Sequence, residues 1–142
     1  MISARVLEID SKNPDALHLL GVLAYEANDQ EKAITLITEA IRTQKKYAPM
    51  HGNLALAKLA KGDLAGAAAS ARKAFALSPS YADAHRVLGL VHQRKGRIRE
   101  AIQEFQRAQR LGLNTADLQG HLAKAFEDLN SPAAAATSEE AS

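Results

Sequence analysis

Cysteine and tryptophan are missing from this 142-residue sequence, and aromatic side chains make up only 4% of it. The lack of cysteine excludes a disulfide framework, a thiol nucleophile and a cysteine-ligated metal site. No apolar run approaches the roughly 18 consecutive residues that a membrane-spanning helix requires. The basic segment at residues 94–99 contains no aromatic ring on which a base could stack, which argues against RNA binding.

The N-terminal segment and the net charge narrow the class further. Residues 1–10, MISARVLEID, carry acidic side chains and have no continuous apolar core, so we do not expect a signal peptide there. The formal net charge is +2, which is too small to indicate a nucleic-acid-binding protein by itself. These features predict a soluble, cytoplasmic protein of one domain, with no membrane and no nucleic-acid partner.

Residues 81–111, YADAHRVLGLVHQRKGRIREAIQEFQRAQRL, contain two amphipathic helical patterns separated by Gly96. Small or apolar residues recur at helical spacing within each pattern. Neither pattern has enough apolar surface to be stable alone, so the helix pair must be covered on both sides. The rest of the chain supplies that cover by repeating the pattern.

The repeat has a fixed period of 34 residues. One column of small residues holds Gly21, Ala55, Gly89 and Ala123, and a leucine precedes each of them. The helix breaks fall at residues that tolerate the left-handed conformation: Asn28, Gly62, Gly96 and Asn130. This period with a helix–turn–helix pattern predicts an all-α stacked α-solenoid. The predicted helices cover about 15–27, 31–43, 49–61, 64–77, 82–95, 98–111 and 116–129.

Several residues in these columns match a known repeat motif: Leu20-Gly21, Leu88-Gly89, Ala33, Ala67, Ala101, Phe105 and Pro79. In these residues the sequence resembles the tetratricopeptide repeat (TPR) family, over nearly the whole chain. The resemblance implies a right-handed superhelix of antiparallel helix pairs. The bulky residue usual near the start of each first helix is replaced by Leu17, His51, His85 and Gln119. We therefore expect looser packing within the repeats, because aromatic volume is lost.

The register divides the chain into three full units and partial units at both ends. Residues 1–12 fall in the second helix of an incomplete N-terminal repeat, and the array spans 13–130. Its units lie at about 14–47, 48–81 and 82–115, followed by the first helix of a fourth at 116–130. Residues 131–142 form either a short C-terminal helix, starting at Ser131-Pro132, or a flexible tail. Because arrays normally end in a polar capping helix, the chain is either a piece of a longer protein or a homo-oligomer through uncapped ends.

The first helix of each pair lines the concave surface of such a solenoid. The predicted peptide-binding residues lie there: His18, Leu19, Val22, Asn53, Leu56, Arg86, Leu90 and Arg94. The apolar members of this set, together with Val87, form a floor on which Asn53 and Arg86 are polar points. Such a groove suits an extended or helical peptide, since its side chains fill the floor while Asn and Arg hold main chain or a carboxylate.

Three more specific binding functions are less well supported. Some family members hold a chaperone's C-terminal carboxylate with a set of Lys, Asn and Arg residues. Of that set this sequence has only Asn53, and Arg86 lies one residue away from a clamp position. The basic residues around Gly96 could dock an acidic partner or a phosphate backbone, but a solvated turn with ion pairs such as Glu104–Arg107 is commoner. A metal site at the histidines is disfavoured, because His85 and His92 lie about 10 Å apart along one helix. We interpret these histidines as half-buried packing residues.

No catalytic motif accompanies the repeats. The sequence lacks a glycine-rich phosphate loop, a GxSxG motif and a cysteine nucleophile, and nothing in it implies a cofactor. We therefore predict a non-catalytic scaffold with a protein or peptide partner. A second hypothesis is a TPR arm of a larger enzyme, because PDALHLLGVLAYE is similar to arrays placed before bacterial glycosyltransferase or sulfotransferase domains. A third hypothesis is a homo-oligomerising assembly unit.

Overall fold

The computed structural model describes residues 13–131, and in that range it contains seven α-helices and no strand. The helices are α1 (Pro14–Glu26), α2 (Gln30–Thr43), α3 (Ala48–Lys61), α4 (Leu64–Leu77), α5 (Ala82–Arg94), α6 (Ile98–Arg110) and α7 (Ala116–Leu129). Each bound agrees with the sequence prediction to within one residue. The N-terminal partial helix and the C-terminal helix or tail that the sequence predicts lie outside the described residues.

The helices pack as a one-dimensional array. The pairs α1–α2, α3–α4 and α5–α6 are in close contact, and the second helix of each pair also contacts the first helix that follows. In addition, the first helices α1, α3, α5 and α7 contact one another in order. Contacts between neighbouring units only are the defining feature of a solenoid, so the predicted fold class is confirmed.

Local sequence explains where the helices begin and end. The side chains of Asn13, Asp29, Asp63 and Thr115 each accept a hydrogen bond from a backbone amide in the first turn of the helix that follows. Between paired helices, Asn28, Gly62 and Gly96 have φ values of 65°, 91° and 76°. These are the left-handed residues that the sequence predicts at the breaks. Asn130 differs, because it keeps a right-handed φ of −87°.

The paired helices of each repeat meet through side chains of complementary size. A Cβ added to Gly21 would lie 2.5 Å from Ile37 Cγ1, and one added to Gly89 would lie 2.4 Å from Phe105 Cε1. In the middle repeat the equivalent positions hold two buried alanines, Ala55 and Ala71. The first helix therefore carries glycine where the second carries a bulky residue, and alanine where the second is also small.

Two of the histidines, His51 and His85, are more buried than the sequence interpretation has them, whereas His92 is half-buried as predicted. His51 is 3% exposed and His85 is 8% exposed, so both belong to the core rather than to a half-buried layer. One ring nitrogen of each has a partner, since His51 Nε2 lies 2.8 Å from the carbonyl oxygen of Lys45 and His85 Nδ1 lies 2.9 Å from Glu104 Oε2. Such partners are what allows a polar ring to be buried at little cost.

None of the helices between residues 13 and 131 is both long enough and apolar enough to cross a membrane.

Candidate functional site

The first helices α1, α3, α5 and α7 contact one another in order, so their sides away from the second helices adjoin. We call this surface the first-helix face. It contains an aliphatic residue at the same place in three successive repeats, namely Val22, Leu56 and Leu90. It also carries the four polar residues predicted to bind peptide: His18, Asn53, Arg86 and Arg94.

The aliphatic residues form a half-buried row. Val22, Leu56 and Leu90 are each intermediate in exposure, and Leu56 and Leu90 pack on the core with one side. Leu90 also packs on the cluster formed by α6 and α7. Leu56 and Leu90 are thus fixed from below, and all three residues of the row leave apolar surface open to a ligand.

His18 and Asn53 are joined across two repeats. His18 Nε2 on α1 lies 2.8 Å from Asn53 Nδ2 on α3. Because an amide nitrogen can only donate, Nε2 accepts and the proton of the neutral ring is on Nδ1. Burial lowers the pKa of His18, and this effect exceeds the opposing one of Asp15, which favours the neutral ring that the hydrogen bond requires. The edge of the ring also meets Tyr47, with ring centroids 6.1 Å apart.

Arg86 has a carboxylate partner within its own helix. Its Nε donates to Asp83 Oδ1 at a distance of 3.0 Å. The sequence prediction treats Arg86 as a free donor for a ligand carboxylate, and it does not foresee this pair. The guanidinium also lies near His121, whose pKa is lowered mainly by burial and further by the positive charge of Arg86.

Arg94 connects two repeats instead of standing free. Its Nη1 donates to the carbonyl oxygen of Leu59, 2.8 Å away, in the last turn of α3. Carbonyl groups at a helix C-terminus have no partner within the helix and carry partial negative charge, so a guanidinium is well suited to this place. The bond neutralises no carboxylate, and Arg94 therefore retains its full charge on the first-helix face.

Two tyrosines at one edge of this face were not predicted. Tyr47 and Tyr81 stand 34 residues apart, each immediately before a first helix, and neither caps that helix with its side chain. The hydroxyl of Tyr81 lies over Gly52, and burial is the main cause that raises the pKa of Tyr81 to about 12. The signal that could have revealed them is the repeated tyrosine in a chain with few aromatic residues.

Val87 does not line the groove, contrary to the sequence prediction. It is fully buried, and it belongs to the core cluster that α5 forms with α3 and α4. Its side chain points toward the preceding repeat instead of the open face. Leu19 occupies the equivalent place in α1 and is 60% exposed, because no described helix precedes α1. A contact between Leu19 and a bound peptide stays a prediction.

Glu104 organises the polar contacts inside the third repeat. Its carboxylate pairs with His85 through one oxygen and with Arg107 through the other. The predicted Glu104–Arg107 ion pair is therefore confirmed, whereas the contact with His85 was not foreseen. Among residues 13–131 there is no group of three or more His, Cys, Asp or Glu side chains arranged to hold a metal ion.

Comparisons with known proteins agree with this geometry. The sequence matches a family model described as "Tetratricopeptide repeat" over residues 53–112 and 88–142. It is 37% identical over 101 residues to Tetratricopeptide repeat protein 36 of Bos taurus and to that of Homo sapiens. The aligned region covers 68% of this chain, and 54% of the bovine and 53% of the human protein. The chain thus spans about half the length of the curated relatives it matches.

Solved structures share the fold at low sequence identity. The first TPR domain of Spaghetti (RPAP3), solved bound to the HSP90 peptide SRMEEVD, has a TM-score of 0.78 at 23% identity, covering 86% of this chain and 99% of that one. MamA has a TM-score of 0.78 at 22% identity, covering 95% of this chain and 79% of that one. The Sgt2 TPR domain from Aspergillus fumigatus has a TM-score of 0.76 at 23% identity, covering 82% and 78%. At these identities the similarity establishes the fold alone.

Proposed function

The chain belongs to the tetratricopeptide repeat family, and from that premise we propose that it is a non-catalytic scaffold that binds a peptide segment of a partner protein on its first-helix face. The observation that carries this proposal is the half-buried row of Val22, Leu56 and Leu90 beside the His18–Asn53 pair. Partly exposed aliphatic side chains with a few fixed hydrogen-bonding groups are typical of peptide-binding grooves. The peptide bound to the RPAP3 domain supports the proposal by fold analogy.

The polar contacts on this face argue against a carboxylate clamp. Arg86, which the sequence prediction gives to a ligand carboxylate, is already paired with Asp83. A ligand carboxylate would have to compete with Asp83 for Arg86, at a cost in affinity. We therefore propose that main-chain and apolar contacts dominate the recognition. The non-catalytic part of the proposal rests on the absence of catalytic motifs from the sequence.

The experiment is a comparison of partner capture by matched double variants. The variant Asn53→Ala with Arg86→Ala removes one amide and one guanidinium from the first-helix face. The control variant, Gln103→Ala with Arg99→Ala, removes the same groups from exposed positions on α6. Capture by crosslinking and mass spectrometry is expected to fall for the first variant and to stay at the wild-type level for the control, while both keep the wild-type helical circular dichroism. Equal capture by the two variants would count against the groove.

Self-association is a second candidate, favoured by apolar surface on α1. Leu19 and Leu23 are 60% and 49% exposed, whereas the equivalent residues in the third repeat, Val87 and Val91, are buried. We propose that a second copy could cover this surface. Light scattering at high protein concentration tests the idea: a dimer that Leu19→Glu with Leu23→Glu converts to monomer supports it, and a wild-type monomer removes it.

The remaining sequence hypotheses stay open as proposals. A role as the TPR arm of a larger enzyme rests on the resemblance of the segment PDALHLLGVLAYE alone. The native reading frame would decide it, because a catalytic domain in the same frame is required. The bacterial origin implied by the glycosyltransferase-type resemblance stays a prediction, and the curated relatives named above are mammalian. A cytoplasmic location is likewise part of the proposal.

A further inference from the structure

The turns that join the first and second helices of the repeats differ in charge. The four residues of this turn are EAND at 26–29, AKGD at 60–63 and RKGR at 94–97, so their charge rises from −2 through 0 to +3. We call Arg94, Lys95 and Arg97 the basic turn, and all three residues are exposed. A strongly positive patch therefore lies at one turn of a chain whose net charge is only +2.

No carboxylate of residues 13–131 neutralises the basic turn. Its side chains form no ion pair in that range, and Arg94 bonds to a carbonyl oxygen instead. Glu100, the next carboxylate along the chain, forms no ion pair in that range either. In the second turn, by contrast, Lys61 Nζ lies 3.3 Å from Glu31 Oε1. The positive charge of the third turn is thus left without compensation.

A fourth cation adjoins the basic turn from the preceding repeat. Arg72 is exposed on α4. Burial is the main cause that lowers the pKa of His92, and Glu104 and Glu100 oppose it. The charges of Arg97 and Arg72 lower that pKa further. Both guanidinium groups therefore lie near the same ring, and the positive patch extends across two repeats.

The fold does not require a cation at this place. The helices α2 and α4 follow Asp29 and Asp63, whose side chains accept hydrogen bonds from backbone amides. Arg97 takes the same place before α6, and its side chain caps nothing. Positive charge here opposes the partial positive charge of the helix N-terminus, and neighbouring like charges repel one another. The basic turn therefore costs the free protein stability, which is typical of a site kept for function.

The surroundings of the basic turn indicate the kind of anion that fits it. Residues 94–99 contain no aromatic ring on which a base could stack, which disfavours single-stranded nucleic acid. Binding to a lipid surface is strengthened by apolar side chains inserted beside basic ones, and the apolar residue of this segment, Ile98, is buried. The carboxylates of a protein segment need neither stacking nor insertion, so charge complementarity favours an acidic segment.

We propose that the basic turn, with Arg72 beside it, is a docking surface for an acidic segment of a partner protein, rich in aspartate and glutamate. The surface lies where α5 ends and α6 begins, and it makes no use of the aliphatic row. The inference therefore goes beyond the proposed function and does not depend on it. Exposed ion pairs are individually weak, so several of them act together, and the binding is sensitive to salt.

The first test uses a fluorescein-labelled peptide of about ten glutamates, long enough to span the turn. Fluorescence anisotropy is measured in about 0.1 M salt, where distant charges are screened. Lys95→Glu with Arg97→Glu should raise the Kd about tenfold, because two exposed ion pairs are replaced by repulsion.

The matched control is Lys45→Glu with Lys46→Glu, which makes the same change of charge at exposed residues between α2 and α3. Its Kd should stay within about twofold of the wild-type value. Equal losses in both double variants would mean that only the net charge of the protein matters, and they would overturn the inference. Lack of measurable binding by the wild type would also overturn it.

The second test separates binding from folding with Arg97→Asp. Aspartate at this place supplies the cap that α2 and α4 have, so the urea concentration at the midpoint of unfolding should rise. The same variant should bind the glutamate peptide more weakly than the wild type. A variant that is more stable and binds equally well would show that the turn is only solvated, and the proposal would be wrong.

The third test compares classes of anion. A DNA duplex of about 20 base pairs and phosphatidylcholine vesicles that contain phosphatidylserine are titrated under the same conditions. The glutamate peptide should bind more tightly than either. If the duplex or the vesicles bind more tightly than the peptide, and Lys95→Glu with Arg97→Glu removes that binding, the basic turn recognises phosphate and the assignment to an acidic protein segment is overturned.

Discussion

The hydroxyl of Tyr81 lies directly over Gly52, so that a Cβ at residue 52 would be 2.4 Å from Tyr81 Oη. The tyrosine precedes α5, and the glycine lies in the second turn of α3. Glycine in a helix interior costs about 0.5–1 kcal/mol relative to alanine, so a reason for it is needed. The reason here is close contact, because the missing side chain leaves room for a tyrosine from the next repeat.

This contact predicts opposite outcomes for two glycines at equivalent positions. Gly120 lies 68 residues after Gly52, in α7, and a Cβ there would have no neighbour within 4 Å. Gly120→Ala should stabilise the protein by about 0.5–1 kcal/mol through helix propensity. Gly52→Ala should lose that gain or destabilise by about 1–2 kcal/mol, because Tyr81 must move. Urea unfolding of both variants measures the difference, and equal stabilisation would contradict the contact.

A second prediction concerns the size match inside the third repeat. Gly89→Ala places a Cβ against the ring of Phe105 and should destabilise the protein by about 1–3 kcal/mol. Combining it with Phe105→Ala reproduces the Ala55 and Ala71 pair of the middle repeat. In that background Gly89→Ala should be neutral or stabilising. A double-mutant cycle by urea unfolding checks this, and a coupling energy near zero would show that the two positions are independent.

The fold could be predicted from the sequence because the repeat is locally encoded. Helix breaks at Asn28, Gly62 and Gly96 and small residues at fixed intervals are visible without knowledge of any contact. Contacts between particular residues could be predicted only in part. The sequence shows that Gly89 and Phe105 each belong to a repeated motif, but it does not show that the ring of Phe105 packs on Gly89. Such pairing depends on the rotation of one helix against another, which a single sequence does not define.

The candidate site was less predictable than the fold for the same reason. Its residues were found from their helix positions, but their partners come from other repeats: Asn53 for His18, and Leu59 for Arg94. The sequence placed Val87 in the groove because the helix position alone does not tell a residue on the open face from one turned toward the preceding repeat. The distinction is set by how neighbouring repeats stack.

A third prediction concerns Glu104, whose buried carboxylate joins His85 and Arg107. Glu104→Ala should destabilise the protein by about 1–3 kcal/mol, because the buried nitrogen of His85 loses its partner. Glu100, exposed on the same helix, is the matched control, and Glu100→Ala should change the stability by less than about 0.5 kcal/mol. Thermal or urea unfolding compares the two variants. Equal effects would mean that the buried pair contributes no more than an exposed carboxylate does.

A fourth prediction is that the His18–Asn53 hydrogen bond makes the protein less stable in mildly acidic solution. Burial lowers the pKa of His18 below its usual value of 6.5, so the unfolded chain takes up a proton before the folded one does. The stabilisation by neutral His18 is complete above pH 6.5 and is lost as the pH falls below that value toward the folded-state pKa. The protonated ring also cannot accept the hydrogen bond from the Asn53 amide.

The variant His18→Gln isolates this effect, because the glutamine carbonyl can accept the bond and does not titrate. The stability of the variant should fall less than that of the wild type between about pH 7.5 and 5.5, where an ordinary histidine titrates. His92 and His121, whose pKa values burial also lowers, are present in both proteins and therefore cancel in the comparison. Nuclear magnetic resonance titration of the His18 ring should give a pKa below 6.5 in the wild type and a higher one in Asn53→Ala. If both proteins give the same pKa, the contact with Asn53 does not influence the titration of His18, and the prediction is wrong.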